Sequence, residues 1–222
     1  MNKLENIVET IKIKFRRYYI QKSAKIRRKK IKDDDFTIIS NNCWAGFVYQ
    51  SYGLKYNTPT IGMFFMASDY IMFISNLKYY LTIENIVFIN PRESKWYSFL
   101  SENSSFGTYP IARLGDIEIF CLHYHSEQEF IKKWNERKKR INFDKILFKF
   151  SEMNQFSEEN IVEFQKLDLK YKICFVSKKY AKYANDYTYV VSNDMVNQIK
   201  STDEPVGRSK IVNINEFINM MK

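Results

Sequence analysis

The chain alternates short apolar runs with longer amphipathic stretches. Phe36-Thr37-Ile38-Ile39, Thr60 to Met66, Ile86-Val87-Phe88-Ile89, Lys145 to Phe150, Tyr171 to Val176 and Tyr187 to Val191 are strand-length runs rich in β-branched and aromatic residues. Between them, Tyr70 to about Tyr80, Glu127 to about Ile141, and the segment from Ser157 through Leu167 read as helices. Ser68-Asp69 and Ser126 with Glu129 three residues on supply helix-start signals, because their side-chain oxygens accept otherwise unpaired backbone N–H groups. Thr108 to Leu114 and Asp116 to Tyr124 read as a hairpin turning near Gly115, and Asp194 to Ile199 and Asn215 to Met221 as short helices. Strands alternating with helices predict a layered α/β sandwich with a mostly parallel sheet, made mixed by the hairpin.

One stretch organises the rest. Ser40-Asn41-Asn42-Cys43-Trp44-Ala45-Gly46 follows the first strand and precedes Phe47 to Gly53, a short helix ending at a glycine. In open α/β sheets, ligands bind at such carboxyl ends of strands, and the free N–H groups of a helix start favour anionic groups such as phosphate.

Ahead of that domain, Leu4, Ile7, Val8, Ile11, Phe15, Tyr18 and Tyr19 recur at three- and four-residue steps, which predicts one amphipathic helix over residues 2–31. Charge sharpens this picture. The net charge of +10 lies entirely in residues 1–32, with twelve Lys/Arg against two acids; the remainder is balanced. We therefore divide the chain into a basic helical arm, residues 1–34, and a single α/β domain, residues 35–222. A basic amphipathic helix suits an anionic membrane surface, where each basic side chain contributes about 1 kcal/mol. The alternatives are packing on the domain or on a second copy, and binding of nucleic acid. Nucleic acid ranks last, since the domain has no positive field to continue the arm.

No apolar run approaches a membrane span and no signal-peptide core opens the chain. The three cysteines (Cys43, Cys121, Cys174) form no CxxC pair and read as free thiols in a reducing compartment. The expected location is cytoplasmic, peripheral on the inner face of the membrane. Walker loops, GxGxxG, HExxH, zinc-spaced Cys/His clusters and GxSxG elbows are all absent.

What chemistry remains is dispersed. Cys43 sits at the strand–helix switch, where a helix N-terminus lowers a thiol pKa; the alternative is a small core residue. His123 and His125 are the only histidines, and His123, at a strand end beside Tyr124, is a candidate general base. Asp116 and Glu118 share one strand face by the period of two, close enough to share a proton or a divalent metal ion; an exposed strand face would look the same. Arg113, Arg137 and Arg140 are candidates to clamp a phosphate or carboxylate, against a solvated helix face for the latter two. Cys121 and Cys174 fall inside strands and read as packing.

These stretches together resemble a family of uncharacterised bacterial proteins often labelled exopolysaccharide or capsular polysaccharide biosynthesis proteins. The resemblance is carried by Ser40 to Trp44, Tyr49, Gly53-Leu54-Lys55-Tyr56, Pro59, Gly62 and Asp69-Tyr70. It continues through Tyr109-Pro110, Gly115-Asp116-Ile117, His123-Tyr124, Ser126-Glu127, Lys133-Trp134, Arg137 and Arg140-Ile141-Asn142. It spans roughly residues 36–176. Ala45 stands where the family pattern has glycine, Glu152 where it has aspartate and Phe156 where it has cysteine. The resemblance implies a role in cell-surface glycan assembly and carries over no mechanism.

The resulting expectation is a transferase, glycosyl or acyl, acting on a phosphate-bearing donor: a nucleotide sugar, an acyl donor or a lipid-linked glycan. His123, Asp116 and Cys43 are its expected catalytic residues. Asn41, Asn42, Trp44, Arg113, Tyr124 and Arg137 are the expected substrate-binding residues. A divalent metal ion is the one cofactor considered. The alternative is a non-catalytic scaffold of the same pathway.

Overall fold

The computed structural model describes residues 11, 14, 15, 18, 22–196 and 198–222. Most of the expected arm helix, including Leu4, Ile7, Val8 and Tyr19, lies outside the described residues. A short helix, α1 (Ala24–Arg28), packs beside the domain. Strand β1 (Thr37–Ser40) leads directly into α2 (Trp44–Tyr52). That helix ends where the sequence predicts, at Gly53, which is left-handed at φ 65° and returns its N–H to Gln50 O at 3.1 Å.

Helices α3 (Ala67–Ser75) and α4 (Leu77–Thr82) replace the single helix expected over 70–80, with the break at Asn76. Asp69 does not cap α3. It is buried and accepts from Lys95 Nζ, Trp96 Nε1 and the Glu118 backbone N–H. The remaining elements are β2 (Phe64–Phe65), β3 (Val87–Ile89), α5 (Tyr97–Leu100), β4 (Ile111–Leu114), β5 (Ile117–Phe120), α6 (Glu127–Lys138), β6 (Ile146–Ser151), α7 (Glu158–Lys166), β7 (Tyr171–Ser177), β8 (Thr188–Ser192) and α8 (Ile214–Met220). Ser126 and Ser157 cap α6 and α7 by accepting from Glu129 N and Asn160 N, as their positions predict. The helix expected over 194–199 is not formed by its described residues.

The strands form two sheets. Strands β1, β6, β7 and β8 make a parallel sheet in the order β1-β6-β7-β8, and β2, β3, β4 and β5 make an antiparallel one in the order β2-β5-β4-β3. The expected mixed sheet is thus resolved into two, because the β4–β5 hairpin pairs outward with β2 and β3 and never with the parallel strands. A backbone bond ties the two together at the end of β1, where Phe65 N donates to Asn41 O at 3.0 Å.

Both faces of the parallel sheet are buried, as its near-continuous apolar strands require. Ile38, Leu147, Ile173 and Phe175 pack with Trp44, Val48 and Tyr52 of α2 and with Ile214 and Ile218 of α8. Ile39, Phe148, Phe150, Cys174 and Val176 pack on the other side with Tyr70 and Phe73 of α3, Trp134 of α6, Phe164 of α7 and one face of the β4–β5 hairpin. The far face of the antiparallel sheet is covered by the irregular segment after β3, through Trp96, Leu100, Phe106 and Tyr109.

Candidate functional site

The carboxyl ends of β1 and β6 lie side by side, and the site is built there. Ser40 Oγ and Asn42 Oδ1 accept from Ala45 N (3.3 Å) and Trp44 N (3.0 Å), so the first N–H groups of α2 are already bonded by their own chain. The expected phosphate cradle at this helix start is therefore filled from within. Asn42 Nδ2 donates to both carboxylate oxygens of Glu204 at 3.1 Å, and Lys149 Nζ donates to Asn42 Oδ1 at 2.8 Å and to Glu204. Ser151 Oγ also donates to Glu204. Lys149 and Glu204 are both fully buried, which makes this an internal ion pair with most of its polar atoms matched. Burial lowers the Lys149 pKa, opposed by the Glu204 carboxylate. The ammonium lies 5.6 Å from the Trp44 ring centroid and close enough to Cys43 to interact with it electrostatically.

Cys43 itself is the N-cap residue of α2 and is half-buried, with Sγ 3.9 Å from Met63 O. Opposite it comes the loop after β5. His123 N donates to Gly62 O at 2.9 Å, and the two backbones approach so closely that a Cβ at Gly62 would stand 3.2 Å from His123 Cβ. Gly62 is also left-handed, at φ 74°, so this position requires glycine twice over. Cys43, Phe47, Leu122 and His123 together form the wall shared by two adjoining clefts of about 490 and 630 Å³. These volumes are those of small-molecule sites. Asn154, left-handed at φ 57° without being glycine, lines the larger cleft and donates to Phe65 O at 3.0 Å. Backbone strain of this kind collects at functional sites.

Of the nine expected residues, the fold brings Asn42, Cys43 and His123 to one concave surface. The other six serve elsewhere. Asp116 is exposed in the β4–β5 turn, at the opposite end of β5 from His123, and accepts from Tyr80 OH at 2.7 Å. Its partner in the expected metal pair, Glu118, is buried and accepts from Ser94 Oγ, Lys95 N and Arg113. That engagement also accounts for Arg113. Among the described residues no group of three His, Cys, Asp or Glu side chains is placed to hold a metal ion. Asn41 is buried and donates to Ser151 O, and the Trp44 indole donates to Pro205 O at 2.7 Å. Arg137 donates to Tyr124 OH, which donates in turn to Ile61 O at 2.7 Å; Arg137 also lies over the Tyr56 ring. This pair braces the cleft from behind, and burial pushes the Tyr124 phenol up to about 12. Cys121 and Cys174 are buried, and burial raises both thiols.

Sequence reading missed Lys149, Ser151 and Glu204. A lysine within Ile146-Leu147-Phe148-Lys149-Phe150 was the visible signal, since a charge amid a buried strand needs a partner. Glu204, in a loop with no pattern, gave none. Glu152 likewise is buried at the end of β6, accepting from Ser177 N and Ser177 Oγ, and Phe156 packs between Phe150 and Tyr180.

Fold and site define an α/β protein with a cysteine and a histidine sharing a cleft at the carboxyl end of a parallel sheet. The chain belongs to the family described as Domain of unknown function (DUF1919), which matches residues 12–222. It is similar to an uncharacterized protein of Haemophilus influenzae, 27% identical over 199 residues, covering 90% of this chain and 87% of the relative.

Proposed function

We propose that this protein is a transferase of cell-surface polysaccharide assembly, with Cys43 as nucleophile and His123 as general base. The observation that carries the reading is the placement of Cys43 and His123 in the wall of the same cleft. Cys43 is the N-cap residue of α2, a place in the fold that favours a thiolate, and the Lys149 charge beside Asn42 is matched by Glu204. Between the two transfers considered from sequence, this favours acyl transfer over glycosyl transfer. Asp116 and Arg113 have no part in it, being held at the far end of the hairpin. The anionic part of a nucleotide-linked or lipid-linked donor is not seated at Asn42, whose amide is held by Glu204. The basic arm would keep the domain at an anionic membrane surface, on the cytoplasmic side. Among the described residues no helix is long and apolar enough to cross a membrane.

The test is thermal shift with acyl-CoA, nucleotide sugars and free nucleotides, each with and without Mg²⁺ or Mn²⁺. Stabilisation by one donor class is expected by mass action. Turnover of that donor should fall at least a hundredfold in Cys43→Ala and in His123→Ala, both folding normally. The scaffold reading has its own support, in the self-contained bonding of Asn42 and the remoteness of Asp116. Donor binding without turnover, undiminished in Cys43→Ala, would favour it.

A further inference from the structure

The two clefts that meet at Cys43 and His123 differ in chemistry. The smaller is edged by backbone at Gly46 and Gly62 and by the polar groups of Gln50, Tyr56 and His125. The larger is lined by Phe64, Phe99, Leu100, Tyr109 and Met153, together with polar residues such as Glu102, Asn103 and Gln198. Phe99 and Leu122, both lining this lobe, keep 42% and 36% of their surface exposed. Apolar surface held open beside a nucleophile is surface available to a ligand.

We propose that the larger lobe holds the apolar chain of an acyl donor and the smaller lobe a hydroxyl-bearing acceptor, so that the two substrates meet at Cys43. This rests on the group-transfer reading above. In the first half, the Cys43 thiol gives its proton to His123, its sulfur attacks the donor carbonyl carbon, a C–S bond forms, and the bond to the donor's thiol or alcohol breaks, that group leaving with the proton held by His123. In the second, His123 takes the proton of the acceptor hydroxyl as its oxygen attacks the thioester carbon. The C–S bond breaks, releasing the ester and the Cys43 thiolate, which takes the proton back from His123. No oxidant or reductant is needed. The division of labour follows from the lining: a hydrocarbon chain gains by leaving water against Phe64, Phe99 and Leu100, whereas a polyol needs the polar partners of the other lobe.

The experiment has two arms on the full chain. In the first, Cys43→Ala is titrated with acetate, hexanoate and decanoate by calorimetry. Affinity is expected to rise at least tenfold from acetate to decanoate, and that rise to be lost when Phe99→Asp is added. In the second, the unaltered protein is mixed with p-nitrophenyl acetate, hexanoate and decanoate. A burst of one p-nitrophenolate per chain is expected, with the acyl mass on Cys43, forming fastest for the longer esters. Affinity and burst rate that are both indifferent to chain length would overturn the lobe assignment even if Cys43 is acylated. Chain-length-dependent binding with no acylation of Cys43 would instead overturn the transfer step and leave the lobe a binding site for apolar chains. The chain-length series needs no variant of the lobe, so it decides the matter even if Phe99→Asp fails to fold.

Discussion

Lys149 and Glu204 show how a residue can be costly alone and stabilising in company. A buried charge stripped of its partner typically destabilises a fold by about 3–5 kcal/mol, whereas replacing both partners with apolar groups is often close to neutral. Glu204→Gln should therefore lower stability by roughly that amount. Lys149→Met combined with Glu204→Leu should lose less than the two single changes added together, as read by denaturant melts in a double-mutant cycle. Glu152 makes a prediction in pH. Burial raises its pKa above the unfolded value of 4.5, despite the two bonds from Ser177. The folded chain then binds that proton more tightly than the unfolded chain, so this group's contribution to stability falls as pH rises above 4.5. Glu152→Gln removes the dependence. Its melting temperature relative to the unaltered protein should climb as pH is raised above 4.5 and level off once the folded Glu152 carboxyl has ionised.

At the scale of elements, the sheet ends depend on side chains borrowed from neighbours. Lys172, on β7, donates through Nζ to Phe164 O, Gln165 O and Leu167 O, closing the C-terminus of α7. A cation there satisfies terminal carbonyls and opposes the helix dipole. Lys172→Met should cost about 1–2 kcal/mol, more than an exposed lysine, because it leaves several carbonyls unmatched. Amide exchange at the end of α7 would check it, with protection falling there before it falls in β6. The segment 198–206 works in the same way on the other side. Ile199 N donates to Glu152 O, Glu204 is held by Asn42 and Lys149, and Pro205 O accepts from Trp44, so an irregular loop closes the end of the parallel sheet.

For the whole molecule, charge is segregated between arm and domain. The described arm residues Ile11, Phe15 and Tyr18 keep half or more of their surface exposed, and all three belong to the apolar stripe read from sequence. The full chain should sediment with vesicles containing phosphatidylserine and not with phosphatidylcholine alone. Replacing Lys12, Lys14, Lys22 and Lys25 by alanine should weaken that binding by more than a hundredfold at 0.1 M salt, at about 1 kcal/mol per residue. Retained binding in the quadruple variant would overturn the membrane reading of the arm.

The sequence by itself determined most of the domain's elements and their order, though not the break at Asn76 or the irregular course of the described residues of 194–199. The turn from β1 into α2, the left-handed Gly53 and the serine caps of α6 and α7 all depend on local backbone preference and on bonds spanning a few residues, which spacing alone records. It also pointed to Cys43 and His123, since a strand end and a helix start are local features. Only the tertiary structure decided which strands pair, because hairpin pairing outward or inward costs the same locally and is settled by what each face buries. The same holds for Asp116 and Glu118. The period of two places them on one strand face, yet one side chain lies exposed in a turn while the other is sealed beneath the segment after β3 by Ser94, Lys95 and Arg113. Lys149 found its counter-charge 55 residues away in the chain, in a loop without pattern. Long-range partners of this kind leave no periodic trace, since only folding brings them within reach of one another.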